Sequence, residues 1–163
     1  LVRHSSKKVI NEKYYEAGFN FRMSDLEASV GVEQMKKIDS IIKKRTQLAK
    51  IYDNAFADSP YISSRMVPEE YINNWQIYIL RLQKNKRLTR DKLMQKLAEL
   101  GISTRRGGMA VHLEPAYKKL YGKISLPVTS EINEQTVAIP LFPELKKNEQ
   151  EYICDAILKL IKG

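Results

Sequence analysis

The chain is short of the residues on which many chemistries depend. Its 163 residues include one cysteine, Cys154, and two histidines, His4 and His112. A single thiol excludes an internal disulfide and fits a reducing compartment. Two distant histidines with no cysteine at ligand spacing argue against a zinc site, and no metal ligand set is expected. No serine stands in a Gly-x-Ser-x-Gly elbow, and Cys154 sits inside a helical pattern, away from any helix start that would favour a thiolate. Neither a Walker loop nor a dinucleotide loop is present. No apolar run approaches the roughly 20 residues that span a bilayer. The opening Leu-Val-Arg-His lacks a secretory pattern, so a cytoplasmic protein with no membrane partner is expected. The first residue is not Met, which suggests a piece of something longer or a processed product.

Hydrophobic content of 43% and charged content of 29% describe a chain able to bury a core. The net charge is +9, and Lys36, Lys37, Lys43, Lys44, Arg45 and Lys50 crowd one helical stretch. These cations flank an apolar seam on both sides, as the solvated faces of a long helix do. With no nucleic-acid motif and no basic tail, nucleic acid is not the expected partner.

The organising stretch is Gly18-Phe19-Asn20-Phe21-Arg22-Met23-Ser24-Asp25. Ser24 and Glu27 are spaced as a capping box. Leu26, Val30, Met35, Ile38, Ile42, Leu48, Tyr52 and Phe56 recur near the helical period, and no proline follows until Pro60. One helix over 24–58, roughly 50 Å long, is predicted. The loop before it has two readings: a capped helix start, or a polar site in which Asn20 and Arg22 offer donors to a carboxylate or phosphate beside polarised helix amides.

Farther along, Tyr61 to Tyr71 reads as a loop, and Trp75 to Leu82 as an inner strand with both faces apolar. Thr89 caps a helix that Gly101 ends. Ile102 to Arg105 and Thr136 to Ile139 supply two more strands. Pro115 opens a short helix closed by Gly122. Leu126 to Thr129 makes a turn, and Glu131 to Glu134 a brief helix. Asn148 and Glu151 are placed to cap a last helix. This order predicts an α+β fold, a long connecting helix plus a small, mostly antiparallel three-stranded sheet covered by helices on one face. Three segments are expected: 1–23, the connecting helix 24–58, and a C-terminal domain 59–163. In the irregular region, Arg105, Arg106 and His112 are either a solvated basic loop or a loop closing over an anionic or sugar-bearing ligand. The Gly107-Gly108 pair could cradle an anion.

These blocks taken together closely resemble the DegT/DnrJ/StrS sugar aminotransferases, pyridoxal-phosphate enzymes of aspartate aminotransferase fold (fold type I). The likeness runs through Gly18 to Ala28, Gly31 to Met35, Ile38-Asp39, Trp75 to Leu82, Leu100 to Thr104, His112 to Tyr117, Leu126-Pro127 and Ile139 to Pro143. The resemblance implies that the chain is the small domain with its connecting helix, residues 1–23 being a remnant of the large cofactor-binding domain. That domain supplies the lysine that carries the cofactor, so no catalytic residue is expected here and the chain alone should be inactive. By resemblance, Asn20 reaches the cofactor phosphate of a partner subunit, and Arg22 holds that loop and adds positive potential. His112 matches a histidine of the substrate-side loop. Many relatives carry His-Tyr-x-Pro before that histidine, where this chain has Arg106 to Val111. That difference touches sugar specificity and the roles of Arg105 and Arg106. The implied parent is a homodimer with shared active sites that moves an amino group from glutamate to a nucleotide-linked keto sugar. The alternatives are a non-catalytic helical interaction module and a basic polyanion binder.

Overall fold

Tyr78, Leu80 and Leu82 alternate with Ile79 and Arg81, and the alternation makes a strand with one buried face. The computed structural model describes residues 19, 21–63, 67–68, 70–83 and 88–162. In chain order these give α1 (Asp25–Met35), α2 (Ile38–Phe56), β1 (Ile62–Ser63), β2 (Tyr78–Leu82), α3 (Arg90–Glu99) and β3 (Arg105–Arg106). A 3₁₀ turn (Val111–Leu113), α4 (Pro115–Tyr121), α5 (Pro127–Gln135), β4 (Thr136–Ile139) and α6 (Lys147–Lys162) follow. The chain divides into two units, Leu1–Lys36 and Lys37–Gly163.

The predicted single helix is two. Helix α1 ends at Met35 and α2 starts at Ile38. The apolar pattern accounts for the break without a proline. On one continuous helix, Ile38, Ile42, Ala49, Tyr52 and Phe56 would share a face, whereas Leu26 and Val30 would lie about 100° away from it. Helix α2 buries Ala49, Tyr52 and Phe56, while α1 buries no residue.

In the second unit the sheet order is β1-β2-β4-β3, with every pairing antiparallel. The strand expected at Thr136–Ile139 forms as β4, and that expected over Trp75–Leu82 forms from Tyr78 as β2. The strand expected over Ile102–Arg105 is displaced to Arg105–Arg106, sharing only Arg105, and β1 adds a fourth inside the segment read as a loop. Two residues with Ile62 as their only buried side chain leave no alternation to recognise. In the central pair Tyr78 faces Ile139 and Leu80 faces Val137. These side chains join Tyr52, Phe56, Leu93, Leu97, Ile153 and Ile157 in one core supplied by α2, α3 and α6. Each fully buried aliphatic side chain contributes about 1.5–3 kcal/mol.

Several polar groups inside this core are hydrogen-bonded. Tyr52 and Tyr78 pack ring to ring at 4.9 Å. The Tyr52 hydroxyl donates to the Pro140 carbonyl (2.8 Å), and that of Tyr78 donates to Asp53 (2.6 Å). Burial pushes both phenols above their ordinary range. Gln150, wholly buried, donates from Nε2 to the Leu48 carbonyl (2.7 Å) and so fastens α6 to α2. Arg45 donates to the carbonyls of Trp75 (2.8 Å) and Gln76 (2.7 Å). It thereby anchors the entry to β2, where Trp75 takes φ +50°.

The other side of β2 is not bare. Arg81 donates to Gln135 (2.7 Å) and lies 3.7 Å from Glu131, so α5 meets the sheet there. Helix α5 begins at Pro127, inside the predicted turn Leu126–Thr129 and ahead of the brief helix predicted at Glu131–Glu134, since proline suits the first helical position. Thr89 and Gly101 bound α3 as expected, the Thr89 side chain accepting from Lys92 N–H (3.3 Å) and Gly101 taking φ +77°. The cap of α6 falls two residues early: Lys146 N–H donates to the Glu149 side chain (2.9 Å).

Cys154 is buried in the core. Burial, then Asp155 and Glu151, push its thiol up to about 11. The folded state therefore holds the thiol proton more tightly than the unfolded chain does, and this contribution to stability fades as pH rises from about 9 towards 11. At about pH 8 the folded protein should react with a disulfide reagent far more slowly than the urea-unfolded chain. Equal rates in the two states would contradict this placement.

Candidate functional site

Helix α1 carries the predicted capping box. Ser24 N–H donates to Glu27 Oε2 (2.8 Å), and Glu27 N–H donates back to Ser24 Oγ (3.3 Å). The Ser24 backbone N–H, and then its hydroxyl, hold the Glu27 carboxyl below its ordinary range. Asp25 and Glu27 both stand in the first turn, so this helix start is already supplied with anions. Any phosphate-binding role in the first unit thus falls to the residues upstream. Of these, Asn20 lies outside the described residues. Arg22 is exposed and makes no hydrogen bond or ion pair to a described residue. It follows the ring pair Phe19–Phe21, whose centroids are 5.4 Å apart.

The second unit holds Arg105, Arg106 and His112, and separates their tasks. Arg105 and Arg106 are consecutive on edge strand β3, opposite Ala138 and Val137 of β4, so their side chains leave opposite faces. Arg105 has no hydrogen-bonding or ionic partner among the described residues. It lines a cavity of about 830 Å³ with Ile102, Thr104, Ile139, Phe142 and Tyr152. Gln76, Ser103, Asn148 and the Glu149 carboxylate line it too, so the recess is mixed, with Arg105 as the cation that could meet an anionic group of a ligand. Arg106 instead lies 3.5 Å from Glu114.

His112 is buried, contrary to the reading of a solvated basic loop. The 3₁₀ turn carries it inward, and its Nε2 lies 3.1 Å from Ser130 Oγ on α5. Ser130 Oγ donates to the Leu126 carbonyl (3.0 Å). Arg105, Arg106 and His112 therefore do not line one common cavity.

Gly107 is the turning point of the loop. Its N–H donates to the Thr136 carbonyl (3.0 Å), which removes it from the anion cradle the glycine pair suggested. A Cβ there would stand 2.7 Å from Thr136 Cβ and 2.9 Å from Ile79 Cγ2. Only a residue without a side chain lets the chain pass so close to the sheet. Glu114, Ser130 and the steric role of Gly107 gave no signal in the sequence, since each depends on a partner 8 to 29 positions away.

Among the described residues no group of His, Cys, Asp and Glu could hold a metal ion, and no helix is long and apolar enough to cross a membrane. Neither unit presents a described lysine in a pocket with an acid and an aromatic beside it. Donors able to meet a phosphate are available, in Arg22 and Arg105, but not the full set that would carry a pyridoxal cofactor.

The sequence profile of the DegT/DnrJ/EryC1/StrS aminotransferase family matches residues 1–158. The chain belongs to this family. Among curated proteins it is 28% identical over 157 residues to the spore coat polysaccharide biosynthesis protein SpsC of Bacillus subtilis, covering 92% of this chain and 40% of that one. Among solved structures it is similar to Helicobacter pylori PseC, an aminotransferase of pseudoaminic acid biosynthesis. The TM-score is 0.82 at 19% identity, over 94% of this chain and 43% of that one. It is also similar to the PLP-form of the putative sugar aminotransferase Spr1654 of Streptococcus pneumoniae, with a TM-score of 0.78 at 26% identity, over 86% and 36% of the two chains. The chain thus spans about two fifths of the length of the family members it matches. Their fold agrees with the α+β architecture expected from the sequence.

Gly107→Ala should lower stability by about 1–3 kcal/mol, because β-branched Thr136 and Ile79 can yield little. Urea unfolding measures this, and an unchanged midpoint would contradict the close approach.

Proposed function

We propose that this chain is the small-domain part of a pyridoxal-phosphate-dependent aminotransferase that moves an amino group, from glutamate, to a nucleotide-linked keto sugar. The match of the family profile across residues 1–158 carries this reading. The cofactor supplies the electron sink when bound, and the chain's own residues bind and orient. Asn20 and Arg22 serve the cofactor phosphate, across the seam of a homodimer with shared active sites in the cytoplasm. Arg105, Arg106 and His112 serve the substrate side. Arg22 and Arg105, neither with a hydrogen-bonding or ionic partner among the described residues, support the two anion-binding tasks. Arg106 and His112 act by holding their loop, through Glu114 and Ser130 respectively. In this reading the chain alone does not catalyse. Its exposed lysines, such as Lys43 on α2 and Lys36, which pairs with Glu33, have no pocket in which to act as a nucleophile.

A second reading draws on α1, which buries nothing and exposes Leu26, Val30, Val32 and Met35. There the chain is a helical interaction module without chemistry. The two readings separate in a protein that carries both this chain and a large domain. Asn20→Ala in that protein should weaken pyridoxal-phosphate retention about tenfold or more, the loss of one good phosphate contact. Retention unchanged from the parent would remove the cofactor role and favour the interaction module.

A further inference from the structure

The segment that follows the 3₁₀ turn is exposed throughout. Every residue from Pro115 to Thr129 stands in solvent, and neither α4 nor α5 contains a buried residue. Yet Tyr117, Leu120, Tyr121, Ile124, Leu126 and Val128 are all large apolar or aromatic side chains, with Leu120 72% exposed and Val128 71%. Single exposed apolar side chains are ordinary, whereas a contiguous group marks a contact surface. Part of this group is contiguous. The rings of Tyr117 and Tyr121 stack with centroids 6.1 Å apart, and Leu120 stands beside them on the same stripe of α4. Ile124 shares a cavity wall with Lys118 and Lys123, which places the cations at the edge of the apolar group.

The charges here are of one sign. Lys118, Lys119 and Lys123 fall between Pro115 and Ser130, where the sequence has no acidic residue. None of them has an ion-pair partner among the described residues. The flanking carboxylates are engaged, Glu114 by Arg106 and Glu131 by Arg81 and Gln135.

An occupant of this surface must be anionic and must accept apolar side chains. A second copy of the same surface would set lysines against lysines. Protein interfaces favour arginine and are depleted in lysine, whereas this segment has three lysines and no arginine. An anionic bilayer meets both demands. Tyrosine and leucine enter the headgroup boundary, and lysines reach the lipid phosphates on flexible apolar stems. Among the described residues no helix is long and apolar enough to cross a membrane, but lying on one needs no such length.

We propose that the α4–α5 surface docks on an anionic membrane, with Tyr117, Leu120 and Tyr121 inserted and Lys118, Lys119 and Lys123 paired with lipid headgroups. The surface lies wholly in the second unit and uses no cofactor, so it stands or falls apart from the transferase reading.

Co-sedimentation of the full chain with lipid vesicles tests it. Vesicles of phosphatidylglycerol mixed equally with phosphatidylcholine should bind the chain, and phosphatidylcholine alone should bind it at least about tenfold more weakly. Lys118→Ala/Lys119→Ala/Lys123→Ala should weaken binding to the mixed vesicles about a hundredfold, and Leu120→Gln about tenfold. The same loss of charge on α2, Lys43→Ala/Lys44→Ala/Lys50→Ala, should weaken it less than about fivefold, since those exposed lysines lie off the docking surface. No binding to the mixed vesicles, or equal losses for the two lysine triples, would overturn the proposal. Binding of polyglutamate but not of vesicles would overturn it in favour of an acidic protein. Loss of vesicle binding in a protein that also carries a large domain would overturn it in favour of that domain as the occupant.

Discussion

The antiparallel pairing of β2 with β4 governs what the second unit can do. Tyr78, Leu80 and Leu82 on one strand and Val137 and Ile139 on the other turn a single apolar face towards α2, α3 and α6. A one-residue slip would send that face to the solvent side and bring Ile79 and Arg81 inward. The register also sets the polar geometry. Val137 and Ala138 seat the edge strand that carries Arg105 and Arg106. Thr136 receives the Gly107 N–H where the loop turns away, and α5 runs directly into β4, so its position places Ser130 opposite His112.

Much of this was legible because each signal was local. The capping box at Ser24–Glu27, the Thr89 cap, the left-handed Gly101 and Gly122 and the apolar run before Leu82 all depend on neighbours within a few residues. Less visible were features that depend on distant partners or on a drifting period. The helix break at Lys36–Lys37 hides in a pattern whose steps are individually helical but whose sum rotates off one face. Strand β1 is too short to alternate. The buried state of His112 depends on Ser130, 18 positions on, and the basic residues around it read as a solvated loop.

For the candidate site, the sequence reading named one loop and left its internal division of labour open. Arg105, Arg106 and His112 are close in sequence, which invites a single cluster. A strand separates consecutive residues onto opposite faces, however, and a 3₁₀ turn carries the histidine inward. Among the described residues, one guanidinium lines a mixed recess without a partner, one is engaged by a carboxylate, and the imidazole is held at one edge. This arrangement offers, among the described residues, groups that can recognise and position.

The central claim is that the residues of this chain hold ligands while the lysine that carries the cofactor lies outside them. Borohydride reduction of a protein that carries both this chain and a large domain, in the presence of pyridoxal phosphate, followed by peptide mapping, tests it most directly. The account predicts a single pyridoxyl-modified lysine in the large domain and none within the 163 residues described here. Stoichiometric modification of one lysine within this chain would contradict it.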